Sequence, residues 1–253
     1  MKLTMSLKEL LSASKTKHRL TSMFAKSLLD HFGRRNDFKL VVLYDTKIKS
    51  HDFEEEHSHE EADTLIPHQV LASIADSAEL RDVCVWSPDT DILTLLVDLV
   101  SCGHLGGHSL KFLTGKGTKR REINVKERVQ QIGQLKCQGL IGLHNFSGAD
   151  WGGKFVDITK KTWVACYMKL DDNDPAINCF RELGKVPIPT ELINGELPPE
   201  VKDLEQFVCH VYCKTGSTTL PALRWDLFRS KNLEGEMLPP TCAALLPHIT
   251  RVN

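Results

Sequence analysis

Two short apolar runs, Val83 to Trp86 and Ser109 to Thr114, stand on either side of an apolar segment with helical spacing from Ile92 to Val100. A strand, a helix and a second strand in that order form a crossover unit, and such units build a parallel sheet. Further segments extend the pattern. Phe38 to Tyr44 reads as a buried strand, and Leu65, Ile66, Val70, Leu71 and Ile74 recur at helical spacing. Asn124 to Ile132 and Leu135 to His144 read as helices, as does Ser6 to Phe32 with Gly33 as its stop. The expected fold is therefore α/β, a three-layer, mostly parallel, Rossmann-like sheet covered by helices on both faces. In such sheets ligands bind beyond the carboxyl ends of strands, where Asp45, Asp89 and Asp91 fall.

The pattern changes after Asp150, and Pro187, Pro189, Pro198 and Pro199 mark a junction. Three regions are expected: an α/β domain over 1–150, a helical hairpin region over 151–185 and a helical C-terminal region over 186–253. With 253 residues, 41% hydrophobic and 26% charged, the chain has the balance of a folded globular protein. Its eight cysteines are scattered, several in apolar runs, which favours buried reduced thiols over a disulfide framework. No apolar run approaches the ~20 residues that span a bilayer, and residues 1–17 lack a cleavable apolar leader. An intracellular protein, nuclear or cytoplasmic, with no membrane partner is expected.

The net charge of −1 conceals a segregation. Residues 51–63 hold Asp52, Glu54, Glu55, Glu56, Glu60, Glu61 and Asp63 with no Lys or Arg, whereas residues 1–40 and 111–136 are basic. An acidic centre flanked by basic surface suits a polyanion held over a metal site. Three acidic groups stand at helix starts or after apolar segments: Glu60, Glu61 and Asp63; Asp89 and Asp91; and Asp150. Phosphodiester hydrolysis with magnesium or manganese needs hard oxygen ligands, and converging carboxylates provide them. Taken one at a time, each group also reads as a helix cap.

The order of these groups, Glu61-Ala62-Asp63, Asp89-Thr90-Asp91 and Gly148-Ala149-Asp150, resembles that of the PIN-like nucleases, in particular the flap-endonuclease (5′ nuclease) branch. The resemblance implies a nuclease using Mg2+ or Mn2+ on DNA or RNA, with Glu61, Asp63, Asp89, Asp91 and Asp150 as catalytic metal ligands and Asp45 and Glu60 as further candidates. It also implies a helix-hairpin-helix after the last aspartate, with a second helix starting near Lys160. Asp157 and Thr159 stand where that family has glycine. The runs Glu60 to Thr64, Ser87 to Asp91 and Leu238 to Thr241 are similar to stretches of animal proteins associated with mobile elements. No early strand-borne aspartate precedes residue 38, so an N-terminally incomplete copy is the expectation.

Lys116, Lys119 and Arg120 form a basic loop around Gly115 and Gly117, without Walker spacing, and with Lys160 and Lys161 they are the expected nucleic-acid contacts. Trp151 and Trp163 flank the hairpin as stacking candidates, Trp163 fitting a core position better. Two other readings compete. A catalytically retired PIN-like module would bind nucleic acid or protein without cutting. A haloacid-dehalogenase-like phosphatase would use Asp89 as nucleophile, Asp91 as proton shuttle and Asp171 and Asp172 as a metal pair. Cys209, His210, Cys213, Cys242 and His248 lack the compact paired spacing of a zinc site.

Overall fold

A computed structural model describes residues 6, 9, 12–35, 37–44, 46–58, 62–75, 79–148, 153–213, 216–231 and 233–253. The chain divides into two compact units, Met1–Leu65 and Ile66–Asn253.

In the first unit, helix α1 (Ser14–Phe32) precedes a three-stranded antiparallel sheet of β1 (Val42–Tyr44), β2 (Lys47–Lys49) and β3 (Glu54–Glu56). The apolar run from Phe38 thus yields only three strand residues. Charge pairing explains why the acidic stretch forms a strand here: Lys47 Nζ and Lys49 Nζ lie 2.5 and 2.6 Å from the two carboxylate oxygens of Glu54. These hydrogen bonds hold the Glu54 carboxyl down at about 2. Helix α2 (Ala62–Ala75) contains the boundary between the units.

In the second unit, β4 (Asp82–Trp86) pairs in parallel with β5 (Ser109–Thr114), and β6 (Arg121–Asn124) closes the sheet antiparallel to β5. Helix α3 (Asp91–Ser101) is the crossover, followed after β6 by α4 (Val125–Ile132), α5 (Gln134–Gln138) and α6 (Leu140–Phe146). Helix α4 starts at a reciprocal cap, in which Asn124 Oδ1 accepts from Glu127 N and Asn124 Nδ2 donates to Glu127 Oε1. The remainder is helical: α7 (Lys160–Tyr167), α8 (Pro175–Glu182), α9 (Lys202–Tyr212), α10 (Leu220–Lys231) and α11 (Cys242–Val252).

The three-layer, mostly parallel sheet is therefore not the architecture. Helix predominates, and the strands form two small three-stranded sheets, one antiparallel and one mixed. Local pairing accounts for the difference. The β1 run is taken up by its own meander, and β6, whose Arg121 and Glu122 carry no apolar signal, closes the second sheet. That sheet is covered on one face. Val85, Leu110 and Phe112 are buried with Ile92, Leu96, Val125 and Val129, while Cys84, Trp86 and Lys111 on the opposite face are exposed.

A second core, beginning at Leu143, is built on aromatic packing. Phe146 meets Phe155, Trp163 and Phe180 at centroid distances of 5.2, 5.6 and 5.5 Å, the last two edge-on as ring quadrupoles favour. Helix α6 reaches α8 so closely that a Cβ on Gly142 would fall on the Phe180 carbonyl oxygen. Gly142→Ala is expected to cost about 1–3 kcal/mol by overpacking, and to lower the melting temperature accordingly; an unchanged melting curve would count against this packing. Among the described residues, no helix is long and apolar enough to cross a membrane.

Candidate functional site

The carboxyl ends of β4 and β5 lie side by side, since Trp86 pairs with Leu113 and Ser87 N donates to Leu113 O at 3.0 Å. Chain polarity thus brings two sequence features together: the Ser87 to Asp91 exit of β4 and the basic loop leaving β5. Ser87 is buried, and its Oγ accepts from Asp89 N at 3.0 Å. Asp89 Oδ1 in turn accepts from Asp91 N at 2.9 Å, meeting one of the amide donors that a helix start leaves open. This is a local turn bond just before the helix, whose N-cap residue, Thr90, makes no side-chain cap hydrogen bond. It uses one carboxylate oxygen, and both aspartates remain exposed.

Asp91, in the first turn of α3, faces a residue that the sequence alone did not single out. His144 Nε2 of α6 lies 3.5 Å from Asp91 Oδ2, with the imidazole largely buried and the carboxylate half exposed. Lys160 Nζ, at the first position of α7, lies 3.1 Å from the same Nε2. One nitrogen cannot both accept from Lys160 and donate to Asp91, so the imidazole tautomer decides which contact is a hydrogen bond. Lys160 thus stands beside His144, while Lys161 is exposed on α7. No spacing rule in the sequence links residues 91, 144 and 160.

Lys116, Lys119 and Arg120 are all exposed, on the loop with a 3-10 turn at Gly117–Lys119. The Arg120 guanidinium lies 5.8 Å from the centre of the Trp86 indole, within cation–π range, and Trp86 is 65% exposed. An open indole beside basic side chains is the arrangement that takes an unpaired base. Trp86 reads in sequence as a core strand residue. Its exposure follows from the uncovered sheet face. Trp163, by contrast, is fully buried.

Of the other expected ligands, Asp63 occupies the first turn of α2, in the first unit, half-buried. Glu60, Glu61, Asp45 and Asp150 lie outside the described residues, as does Trp151. Carboxylate oxygens are the donors that magnesium and manganese prefer, so Asp89 and Asp91 fit such an ion in kind. Among the described residues, no three His, Cys, Asp or Glu side chains gather around a point.

At the hairpin position, Asp157 adopts a left-handed φ of 57°, so the backbone takes a glycine-like conformation that Asp tolerates. Thr159 Oγ1 then accepts from Thr162 N at 3.3 Å and starts α7 at Lys160, where the second hairpin helix was expected. For the competing readings, Asp172 pairs with Lys136 at 3.0 Å. Burial pushes the Cys209 thiol up to about 12 and also raises that of Cys242, which opposes the thiolate form that zinc binds.

The chain was compared with family models, curated proteins and solved structures, and none of the three comparisons returns a match.

Proposed function

We propose that this protein is a magnesium- or manganese-dependent nuclease that hydrolyses phosphodiester bonds in DNA or RNA, with Asp89 and Asp91 at the centre of its site. One observation carries the reading: two exposed carboxylates just beyond β4 stand beside the open tryptophan that ends that strand and a cationic loop leaving the adjacent end of β5. Carboxylates suit a divalent ion, the loop suits phosphates and the indole suits a base. The resemblance of the acidic motifs to those of PIN-like and flap-type nucleases agrees with it, and adds Asp150 to the candidate ligands.

A bound divalent ion would neutralise charge on the phosphoryl oxygens and lower the pKa of the attacking water. The chain's own residues do the rest. Asp89 is oriented by its bond from Asp91 N, which leaves its second oxygen for the ion. His144 Nε2 stands 3.5 Å from Asp91 Oδ2, and Lys160, 3.1 Å from the same nitrogen, adds positive charge near the site. Lys116, Lys119 and Arg120 hold the strand. The eight cysteines, scattered along the chain and several of them buried, suit a reducing compartment, the nucleus or cytoplasm.

The decisive experiment is cleavage of single-stranded, duplex and branched DNA and RNA with Mg2+, with Mn2+ and with chelator. Cutting that requires the metal is expected. A second reading, a module that binds nucleic acid without cutting it, is favoured by His144 against Asp91 with the Lys160 ammonium on the same imidazole nitrogen, which sets basic groups near the aspartate without any metal. Binding with no cleavage of any substrate would select it.

Replacing Lys116, Lys119 and Arg120 together by Ala is expected to weaken binding and to flatten its salt dependence by about 2 in log–log slope, at ~0.7 per lost single-strand phosphate contact. Filter binding across salt concentrations checks this. An unchanged slope removes the loop from the interface.

A further inference from the structure

A half-open cavity of about 230 Å3 lies between the 153–156 segment and one face of α11. Ala244, Leu245, His248 and Arg251 line it at the spacing of successive helical turns, with Phe155, Leu238 and Pro240 completing its apolar wall. Lys154 and Arg251 stand exposed on its lining, and neither is in an ion pair among the described residues.

His248 supplies an independent sign of a ligand. The residue is 9% exposed, and its ring is set edge-on to Phe146 and Phe155 at 5.3 and 4.9 Å. Nε2 lies 2.8 Å from the Phe146 carbonyl oxygen and donates to it, which leaves Nδ1 as the acceptor. Nδ1 has no partner among the described residues. It approaches Gly153 so closely that a Cβ there would lie 3.2 Å away, with Arg251 Nη1 at 3.9 Å from the same point. Burial, with Arg251 nearby, holds this histidine below its usual pKa, so the ring is neutral at pH 7 and Nδ1 carries a lone pair. Glycine at 153 leaves the space between this acceptor and the guanidinium open.

We propose that this cavity binds a small organic acid that carries a hydroxyl next to its carboxylate and a compact apolar body. The carboxylate meets Arg251 and Lys154. The hydroxyl donates to His248 Nδ1, and the apolar body lies against Phe155, Leu238 and Leu245. A cavity of ~150 Å3 is enough for a benzene ring, so this one has room for a ring and its acidic arm. Three complementary features, a cation pair, a lone acceptor and an apolar wall, match three parts of one molecule, whereas inorganic phosphate would leave the wall uncovered.

The test uses the full chain and 3-phenyllactate as probe, followed by calorimetry and by the 15N shift of His248 Nδ1. Binding is expected, weaker by about fivefold for 3-phenylpropionate, which lacks the hydroxyl, an effect of one net hydrogen bond. It should weaken at least about tenfold for the uncharged 3-phenyllactamide, a charge-assisted contact being worth about twice a neutral one. Arg251→Gln should reproduce that tenfold loss, and Ala244→Phe, at an exposed lining position, should abolish binding by filling the cavity. Both sites are exposed, and unchanged melting curves verify the fold. No binding at millimolar probe overturns the proposal, as does binding that neither variant alters. Equal affinity for 3-phenylpropionate, or a static His248 Nδ1 shift, overturns the role of the histidine. Binding is measured without nucleic acid or metal, so the outcome is independent of the nuclease reading.

Discussion

Asp89→Asn should leave the protein folded and binding nucleic acid while cutting it at least about 100-fold more slowly, since changing an outer partner of a metal site already costs ~10–100-fold. The substitution separates two roles of one side chain. Asp89 Oδ1 accepts from Asp91 N at the start of α3, and an Asn side-chain oxygen accepts that bond equally well. Stability should therefore stay within about 0.5 kcal/mol of the parent. What Asn removes is the negative charge that would hold a divalent ion. Asp91→Asn should have the same kinetic effect, with a further loss of a few tenths of a kcal/mol, about 0.3–1, because an acid in the first helical turn favours the dipole. Single-turnover cleavage with saturating metal, alongside binding in chelator, reads both quantities. Wild-type cleavage rates in either variant would refute the site. Loss of binding in parallel with loss of cleavage would instead make these residues part of the substrate surface.

Trp163→Ala should be the most damaging single change to stability, at about 3–5 kcal/mol, the range for deleting a buried aromatic. Trp163 is fully buried, in contact with Phe155, Phe146 and Phe207 at 4.7, 5.6 and 5.8 Å, so its removal opens a cavity where α7 meets the core. Because α7 begins at Lys160, the loss should reach the contact of Lys160 with His144 as well. Trp163→Phe gives the informative contrast. The indole Nε1 is buried without a hydrogen-bond partner among the described residues, and an orphaned buried donor costs about 1–3 kcal/mol. Phenylalanine removes that donor along with part of the volume, so the two effects oppose each other and the net cost should be well below that of alanine. Chemical denaturation of the pair checks this. A phenylalanine variant as unstable as the alanine one would mean that the indole N–H is satisfied after all.

Sequence by itself determined the parts of this protein that depend on local pattern. The crossover from β4 through α3 to β5 follows from apolar runs of strand length around a helical stripe, and the acid-bearing exit of β4 follows from where that run stops. The start of α7 near Lys160 was expected from the family resemblance alone, and turn and cap chemistry within a few residues builds it.

Tertiary structure decided what pairs with what. An apolar run does not say which strand lies beside it, so the segment ending at Tyr44 closed on Lys47–Lys49 instead of joining β4, and the expected layered sheet was not built. Only that smaller sheet, bare on one face, turns Trp86 outward to meet Arg120. His144 reaches Asp91, and Lys160 reaches His144, because α6 and α7 pack in the second core, and residues 53 and 16 positions apart become neighbours through packing that no spacing rule encodes. Carboxylates announce themselves in a sequence by their chemistry; their companions are chosen by long-range burial, which depends on the whole set of apolar surfaces at once.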